Sequence, residues 1–452
     1  MKADMPSPTL PTTSNSTGIL AAYGTGWIGG QIFRDVPAML LLTFMITALD
    51  VPPTVAGAAI FVPKLWVIFC DPMVGMWSDR TRSPWGRRRP FLLAGSILCG
   101  ITFILLFNVP GLESGTLKGI YVGAMYTVAS TAFSIYSVPY LTMGSELAAS
   151  SHERTVVMSW RQVGIGGGLV LGNAMPLLLV EWGGGNEQGF RVMGTILGVL
   201  CGLTMFVTFA GTASARLSEV EQPPVRLIDQ FRLALRNKPF LVLVAGNFTQ
   251  LIGSAASYAT IVLFTVYHLG KDYTFVSRMT LIMAIMVIVT PALWTMAARR
   301  FGKKPTYMFS IVVYIGPYLA FLGTTPDGEL YVYFLCLMLG VFNCGFSLIA
   351  FSMLLDTIAH DYKVTGLNRE GMFSGLWSAM DKTAFACGAL LAGVALQTLG
   401  FAESKIGFPA QSPEAIRGVV VIFSCTPAAF SVVATIIMWF YRLDDGRTLS
   451  AE

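Results

Sequence analysis

Charged side chains are what this chain has least of: they make up 12% of its 452 residues, against about 25% in a soluble globular protein. A water-facing enzyme, a disordered chain and a nucleic-acid binder all need more, and each is excluded on that ground. Histidine is rarer still, with three in all. His152, His268 and His360 sit at the ends of apolar runs and far apart in sequence, so they offer neither a nucleophile–base pair nor a metal-ligand set, and a membrane enzyme is set aside. The seven cysteines fall inside apolar runs without C-x-x-C spacing, which predicts free thiols, no metal and no cofactor. The first 17 residues lack the basic start and short apolar core of a signal peptide, and are expected to form a disordered cytoplasmic tail. In place of charge stand 54% hydrophobic residues and 46 glycines, a composition whose solvent is lipid. The net charge of +5 needs no acidic partner, because basic residues gather at the cytoplasmic ends of membrane spans.

A spanning helix needs roughly 20 apolar residues. Such runs occur at about 18–49, 54–78, 90–110, 117–147, 155–181 and 191–213, then at 239–268, 276–298, 305–325, 329–358, 370–400 and 415–441. Transmembrane strands would show short alternating segments, so the reading is an all-α membrane protein with twelve transmembrane helices in two six-helix bundles. The first bundle is 18–213 and the second 239–442, with a cytoplasmic linker at 214–238 and a cytoplasmic tail at 443–452. Within the linker, Leu227, Ile228, Phe231 and Leu235 share one face, as in an amphipathic helix on the membrane surface; a solvated linker fits the same residues. Arg80, Arg82, Arg87, Arg88 and Arg89 follow span 2, and Arg299, Arg300, Lys303 and Lys304 follow span 8. Breaks of the other parity, such as 111–116 and 326–329, contain acids and few bases, which places both termini in the cytoplasm. The basic segment GRRRP after span 2 returns as RRFGKKP after span 8, six spans later, which points to two parallel six-helix repeats with a site near the midplane between them.

Charge inside hydrocarbon is costly and marks cavities. Seven such residues lie away from span ends: Arg34 and Asp35 in span 1, Lys64 and Asp71 in span 2, Arg161 in span 5, Asp381 and Lys382 in span 11. Spans 1, 2, 5 and 11 are therefore the expected cavity liners. Lys64 and Asp71 are seven residues apart, about 10.5 Å along one helix face. They read either as a structural charge pair or as a coupling site in which Asp71 titrates and Lys64 moves. Arg161 can hold a hydroxyl, carboxylate or phosphate, or can serve as counter-charge to Asp35 or Asp71. Asp381 and Lys382 diverge by about 100° around their helix, so at most one points to the cavity centre. Trp377, one turn before Asp381, is placed to stack on a sugar ring.

The segment Asp71–Leu93, DPMVGMWSDRTRSPWGRRRPFLL, resembles the signature of the glycoside–pentoside–hexuronide:cation symporters, the melibiose permease-like branch of the major facilitator superfamily. Asp356–Gly371, DTIAHDYKVTGLNREG, is similar to that family's loop between helices 10 and 11, and Tyr23-Gly24-x-Gly26 opens helix 1 in its manner; GRRRPF also resembles sucrose transporters. The resemblance covers essentially the whole chain. It implies a secondary transporter that carries a sugar, glycoside or hexuronide by alternating access, as a monomer in a bacterial inner membrane. It implies a cation-coupling role for Asp71, with Lys64 beside it. The family's other two cation-site acids fall on Val67 and Ser137, so protons are expected as coupling ion ahead of sodium, which wants several oxygen ligands. Its helix 1 sugar-recognition acid falls on Gln31, with Asp35 one turn on as substitute, and its helix 5 arginine and helix 11 lysine match Arg161 and Lys382. Gln31, Asp35, Ser137, Arg161, Trp377 and Lys382 form the expected substrate site. Asp79, Arg80, Arg87, Glu146, Arg154, Asp361, Arg369 and Glu370 form an expected cytoplasmic gate of ion pairs. The alternatives are a carrier of lysolipid-like amphiphiles and a substrate sensor that keeps the fold without transport.

Overall fold

The computed structural model describes residues 15–148, 151–216, 237–365, 370–404 and 408–442. Most of the expected linker, both tails and Arg369 lie outside the described residues, as do the side chains of Arg154 and Glu370. Thirteen α-helices and no strand occur among the described residues. The first half holds α1 (Thr17–Thr47), α2 (Pro53–Arg80), α3 (Arg89–Phe107), α4 (Gly115–Glu146), α5 (Ser151–Trp182) and α6 (Glu187–Gly211). The second holds α7 (Lys238–Tyr267), α8 (Tyr273–Val289), α9 (Pro291–Phe301), α10 (Lys303–Ala320), α11 (Glu329–Thr365), α12 (Glu370–Thr398) and α13 (Pro413–Trp439).

Local sequence explains where helices begin. Asn186, Asn237, Asp272 and Ser412 each accept a hydrogen bond from a backbone N–H of the first turn of α6, α7, α8 and α13. The apolar run expected as span 8 is two helices, because Pro291 removes a backbone donor and bends the chain by 49° between α8 and α9. Counting that pair once, the described helices make twelve spans. Nine helices are long and apolar enough to cross a membrane and the bent pair adds a tenth. The 31 residues of α1 and the 32 of α4 have the length, but glycine, serine, threonine and, in α1, the charges Arg34 and Asp35 dilute their apolar content.

The two halves repeat one packing plan. In the first, α1 packs on α5 and α6, α3 on α4 and α6, and α2 on α4. In the second, the equivalent spans do the same: α7 packs on α12 and α13, α10 on α11 and α13, and α8 on α11. The halves meet where α2 packs on α12, α5 on α8, and α1 on α7, a pseudo-twofold arrangement.

The two ends of this interface differ. At the end carrying the α1–α2 and α12–α13 connections, the Asp50 N–H donates to the Ser404 carbonyl (2.9 Å) and the Ser404 N–H donates to the Ile46 carbonyl (2.9 Å). A side chain at Gly393 would run into the Pro53 carbonyl and Gly57, so backbones of opposite halves touch here. Thr274 donates to Glu181, and the Tyr273 hydroxyl donates to the Gly185 carbonyl at 3.5 Å. This end is closed. At the opposite, basic end, the ion pairs Arg87–Glu146, Arg88–Asp79, Arg88–Glu146 and Lys303–Asp356 each lie within one half.

Candidate substrate and coupling site

Glycines of α5 seat the first part of the site. Gly164, Gly168 and Gly172 lie four apart on one face; a Cβ on Gly168 would strike Gln31, and the backbone at Gly172 lies against Ile32 and Asp35. This close approach sinks Gln31 to 1% exposure, with its amide Nε2 donating to Asp35 Oδ2 at 2.7 Å. Arg34 Nε donates to the other carboxylate oxygen of Asp35 at 3.1 Å. Gln31 and Asp35 are thus brought together, with Arg34, which the sequence marks only as an interior charge. Arg34 is 57% exposed by its side chain, and no other residue from 19 to 49 is exposed. A cation bare to lipid at mid-span costs several kcal/mol, so the space beside Arg34 is an aqueous cavity.

The second part joins the two halves. Lys382 of α12 donates to Asp71 Oδ2 of α2, and both side chains are 25% exposed. Asp71 Oδ1 is buried and has no partner. The charge pair expected between Lys64 and Asp71 is not formed. Lys64 instead sits over the Tyr126 ring, 4.8 Å from its centroid, because α2 packs on α4 along that face. Val67, where the resemblance places an acid, is 4% exposed, and Ser137 is buried on α4 at the same exposure.

The third part is aromatic. Arg161 stacks over Trp27 at 4.4 Å, Trp27 over Tyr140 at 5.0 Å, and Tyr140 over Tyr23 at 4.4 Å. The reading of Arg161 as counter-charge to Asp35 or Asp71 is therefore corrected, since those carboxylates are taken by Arg34 and Lys382. The Arg161 Nε has no hydrogen-bond partner. Trp377 is 9% exposed on α12 and packs in the core. Asp381, its neighbour one turn on, faces the charges of Arg34 from across the interface and of Lys382 on its own helix. Signals for the missed members exist in the sequence: the G-x-x-x-G-x-x-x-G stripe of α5 announces a closely seated partner helix, and Trp27 lies one turn before Gln31.

At the basic end, the buried Arg88 gathers Ser78 (2.5 Å), Asp79 (2.6 Å) and Glu146 (3.1 Å), and Arg87 reaches Glu146 at 3.3 Å. This cluster ties α2 and α4 to the start of α3 within the first half. Across the molecule, Lys303 bonds Asp356 (2.6 Å), and Asn237 Nδ2 donates to Asp361 Oδ1 (3.2 Å), both within the second half.

Known proteins resemble this chain over most of its length. The isoprimeverose transporter of Lactiplantibacillus pentosus is 23% identical over 89% of this chain and 84% of its own. A putative sulfoquinovose importer of Salmonella typhimurium is 25% identical over 94% of this chain and 90% of its own. The fold matches that of a bacterial homologue of the human lysosomal transporter Spinster, crystallised inward-facing and unoccupied, with a TM-score of 0.68 at 13% identity over 94% of this chain and 95% of that one. A family model described as MFS/sugar transport protein matches residues 22–445, so the chain belongs to that family and is a multi-pass secondary transporter of the major facilitator fold.

Proposed function

We propose that the chain is a proton-coupled symporter for a sugar, glycoside or hexuronide, working as a monomer in a bacterial inner membrane with both termini cytoplasmic. The observation that carries this reading is the Asp71–Lys382 bond, one residue from each half, with Asp71 Oδ1 left open. Lys382 and a proton compete for the same carboxylate. When the halves rock apart at this level the carboxylate loses its ammonium and takes a proton from outside; when they return, Lys382 displaces that proton to the inside. Sodium has little to hold it, because Val67 supplies no oxygen and Ser137 only a hydroxyl. The basic end, with Arg80 to Arg89 and Arg299 to Lys304, then faces the cytoplasm by the positive-inside rule, so the closed end faces outward and the cavity opens inward. Gln31, Arg161 and Trp377 supply the sugar contacts in this reading, with Asp35 holding Gln31 in place, and the charges of the basic end form the cytoplasmic gate, the Arg88 cluster being the fixed rim on the first half.

The test is uptake of a panel of radiolabelled sugars and glycosides into vesicles holding the purified protein, with proton and sodium gradients imposed separately. Accumulation is expected with the proton gradient alone, and Asp71→Asn is expected to abolish accumulation while leaving counterflow. Uptake that rises with added sodium at fixed pH and membrane potential overturns the coupling assignment.

A further inference from the structure

Resting on the reading of this cavity as a sugar site, we infer that Arg34 is the specificity-determining residue for an acidic group on the substrate, a carboxylate or sulfonate bound at the deep end of the cavity. Four observations converge. Beyond the exposed first two residues of α1, Arg34 is the sole exposed residue of this central helix, about midway along it, so its guanidinium meets whatever enters the cavity. Its position is fixed: Asp35 accepts from its Nε at 3.1 Å, and Asp35 is held in turn by Gln31 at 2.7 Å. That single bond through Nε leaves the two terminal nitrogens, the planar fork that matches a carboxylate or sulfonate, without a hydrogen bond in the structure. Finally, the interior charges do not balance. Arg34, Lys64, Arg161 and Lys382 stand against Asp35, Asp71 and Asp381, and the two cations that lack a carboxylate, Lys64 and Arg161, are covered by aromatic rings. A substrate anion therefore finds its accessible partner in Arg34.

Asp381, whose charge acts on Arg34 from α12, sharpens the point. An arriving acid competes with Asp381 for the same guanidinium, so binding at Arg34 changes the attraction between the halves, whereas a neutral sugar leaves it as it is. Asp35 is then a positioning residue rather than a sugar ligand. Its carboxylate is already engaged on both oxygens, by Gln31 and Arg34.

The experiment is binding to the purified protein in nanodiscs, read by calorimetry with three probes: methyl β-D-glucuronide, methyl β-D-glucoside, and 2,3-dihydroxypropane-1-sulfonate as an acid that is not a sugar. The glucuronide is expected to bind at least about tenfold tighter than the glucoside, the worth of one hydrogen bond to a charged group. Arg34→Gln is expected to erase that preference, so that glucuronide and glucoside bind alike, and Arg34→Lys to restore part of it. Should Arg34→Gln fail to fold, Asp35→Asn gives the second reading, since it weakens the anchor at Nε that aims the fork and is expected to reduce the preference without reversing it. Equal affinity for glucuronide and glucoside in the unmodified protein overturns the inference and leaves the sugar reading standing. Binding of the sulfonate alone, lost in Arg34→Gln, supports the inference and overturns the sugar reading. Silence from all three probes overturns the inference.

Discussion

The two ends of the interface between the halves are held by different chemistry. At the closed end the bonds that run from one half to the other are mostly neutral: the Asp50–Ser404–Ile46 backbone bridge, the Tyr258 hydroxyl donating to Asn173 Oδ1 at 2.6 Å, and Thr280 donating to the Asn173 carbonyl at 2.9 Å. At the basic end the ion pairs of Arg87, Arg88 and Lys303 stay inside a half. A bond that must break in every cycle is best made of groups that water satisfies almost as well, so that its net worth is about 0.5–1.5 kcal/mol. A fully buried ion pair such as Arg88–Glu146 is unsuited to that task, because separating its partners costs several kcal/mol, whereas Asp71–Lys382 is a quarter exposed and a proton replaces the ammonium when that pair parts. The basic cluster is therefore a fastener of the first bundle, and the closed end is the part that opens.

Three sets of substitutions test the contrast. The largest effect belongs to the cluster. Arg88 and Glu146 are 5% and 6% exposed, and removing Arg88 leaves the buried Glu146 carboxylate with Arg87 at the rim in place of its buried partner. Arg88→Ala is expected to destabilise the protein by about 3–5 kcal/mol in a denaturant titration. Arg87, at 35% exposure, bonds the same carboxylate from the rim, and Arg87→Ala is expected to cost about 1 kcal/mol or less. In both, spin labels placed at 113 and 403, on opposite halves of the closed end, should report an unchanged distance in the protein that remains folded. A shift there would mean that the cluster acts on the gate as well.

Next in size is a wedge at the closed end. In Gly393→Leu the added side chain meets backbone atoms of α2, which cannot swing aside as a side chain does. Overpacking of this kind costs about 1–3 kcal/mol, and here it is charged to the closed conformation alone. The 113–403 distance is expected to lengthen in most molecules, and uptake to fall about tenfold or more. Gly316→Leu is the control, since nothing lies within 4 Å of that position. Equal loss in both would assign the effect to general damage.

How much of this is legible in the sequence differs between fold and site. Twelve apolar runs and their two-times-six grouping follow from hydropathy and from the repeated basic loop. The bend in span 8 is hidden, because apolarity continues through Thr290 and Pro291, and only the proline marks the break. For the site, interior charge singles out Asp71, Lys382, Arg34 and Asp35 individually, yet not their pairing. Sequence spacing joins Asp71 to Lys64, seven residues away; the packing of α2 on α12 joins it to Lys382, 311 residues away. Which cation stands in water is equally invisible from sequence, since Arg34 and Arg161 look alike until Trp27 is found covering one of them.

The smallest effect comes from a single hydroxyl. Tyr258 on α7 and Asn173 on α5 belong to opposite halves, and the Asn173 amide Nδ2 is already spent on the Leu169 carbonyl of its own helix at 2.8 Å. Tyr258→Phe keeps the ring and its packing but leaves Asn173 Oδ1 without a donor only while this region is closed, because water reaches it once the halves part. The substitution thus weakens one state and spares the other, which is the condition for a population shift. A loss of about 0.5–1.5 kcal/mol corresponds to a change of roughly two- to tenfold in the ratio of closed to open. A longer-distance population is expected to grow between the 113 and 403 labels, with melting temperature unchanged. Asn173→Ala removes the acceptor together with the orphan it would leave, so the double variant is expected to match Asn173→Ala alone. If Tyr258→Phe still shifts the distance when Asn173 is absent, the hydroxyl acts through another partner and the bond between the halves is not the latch.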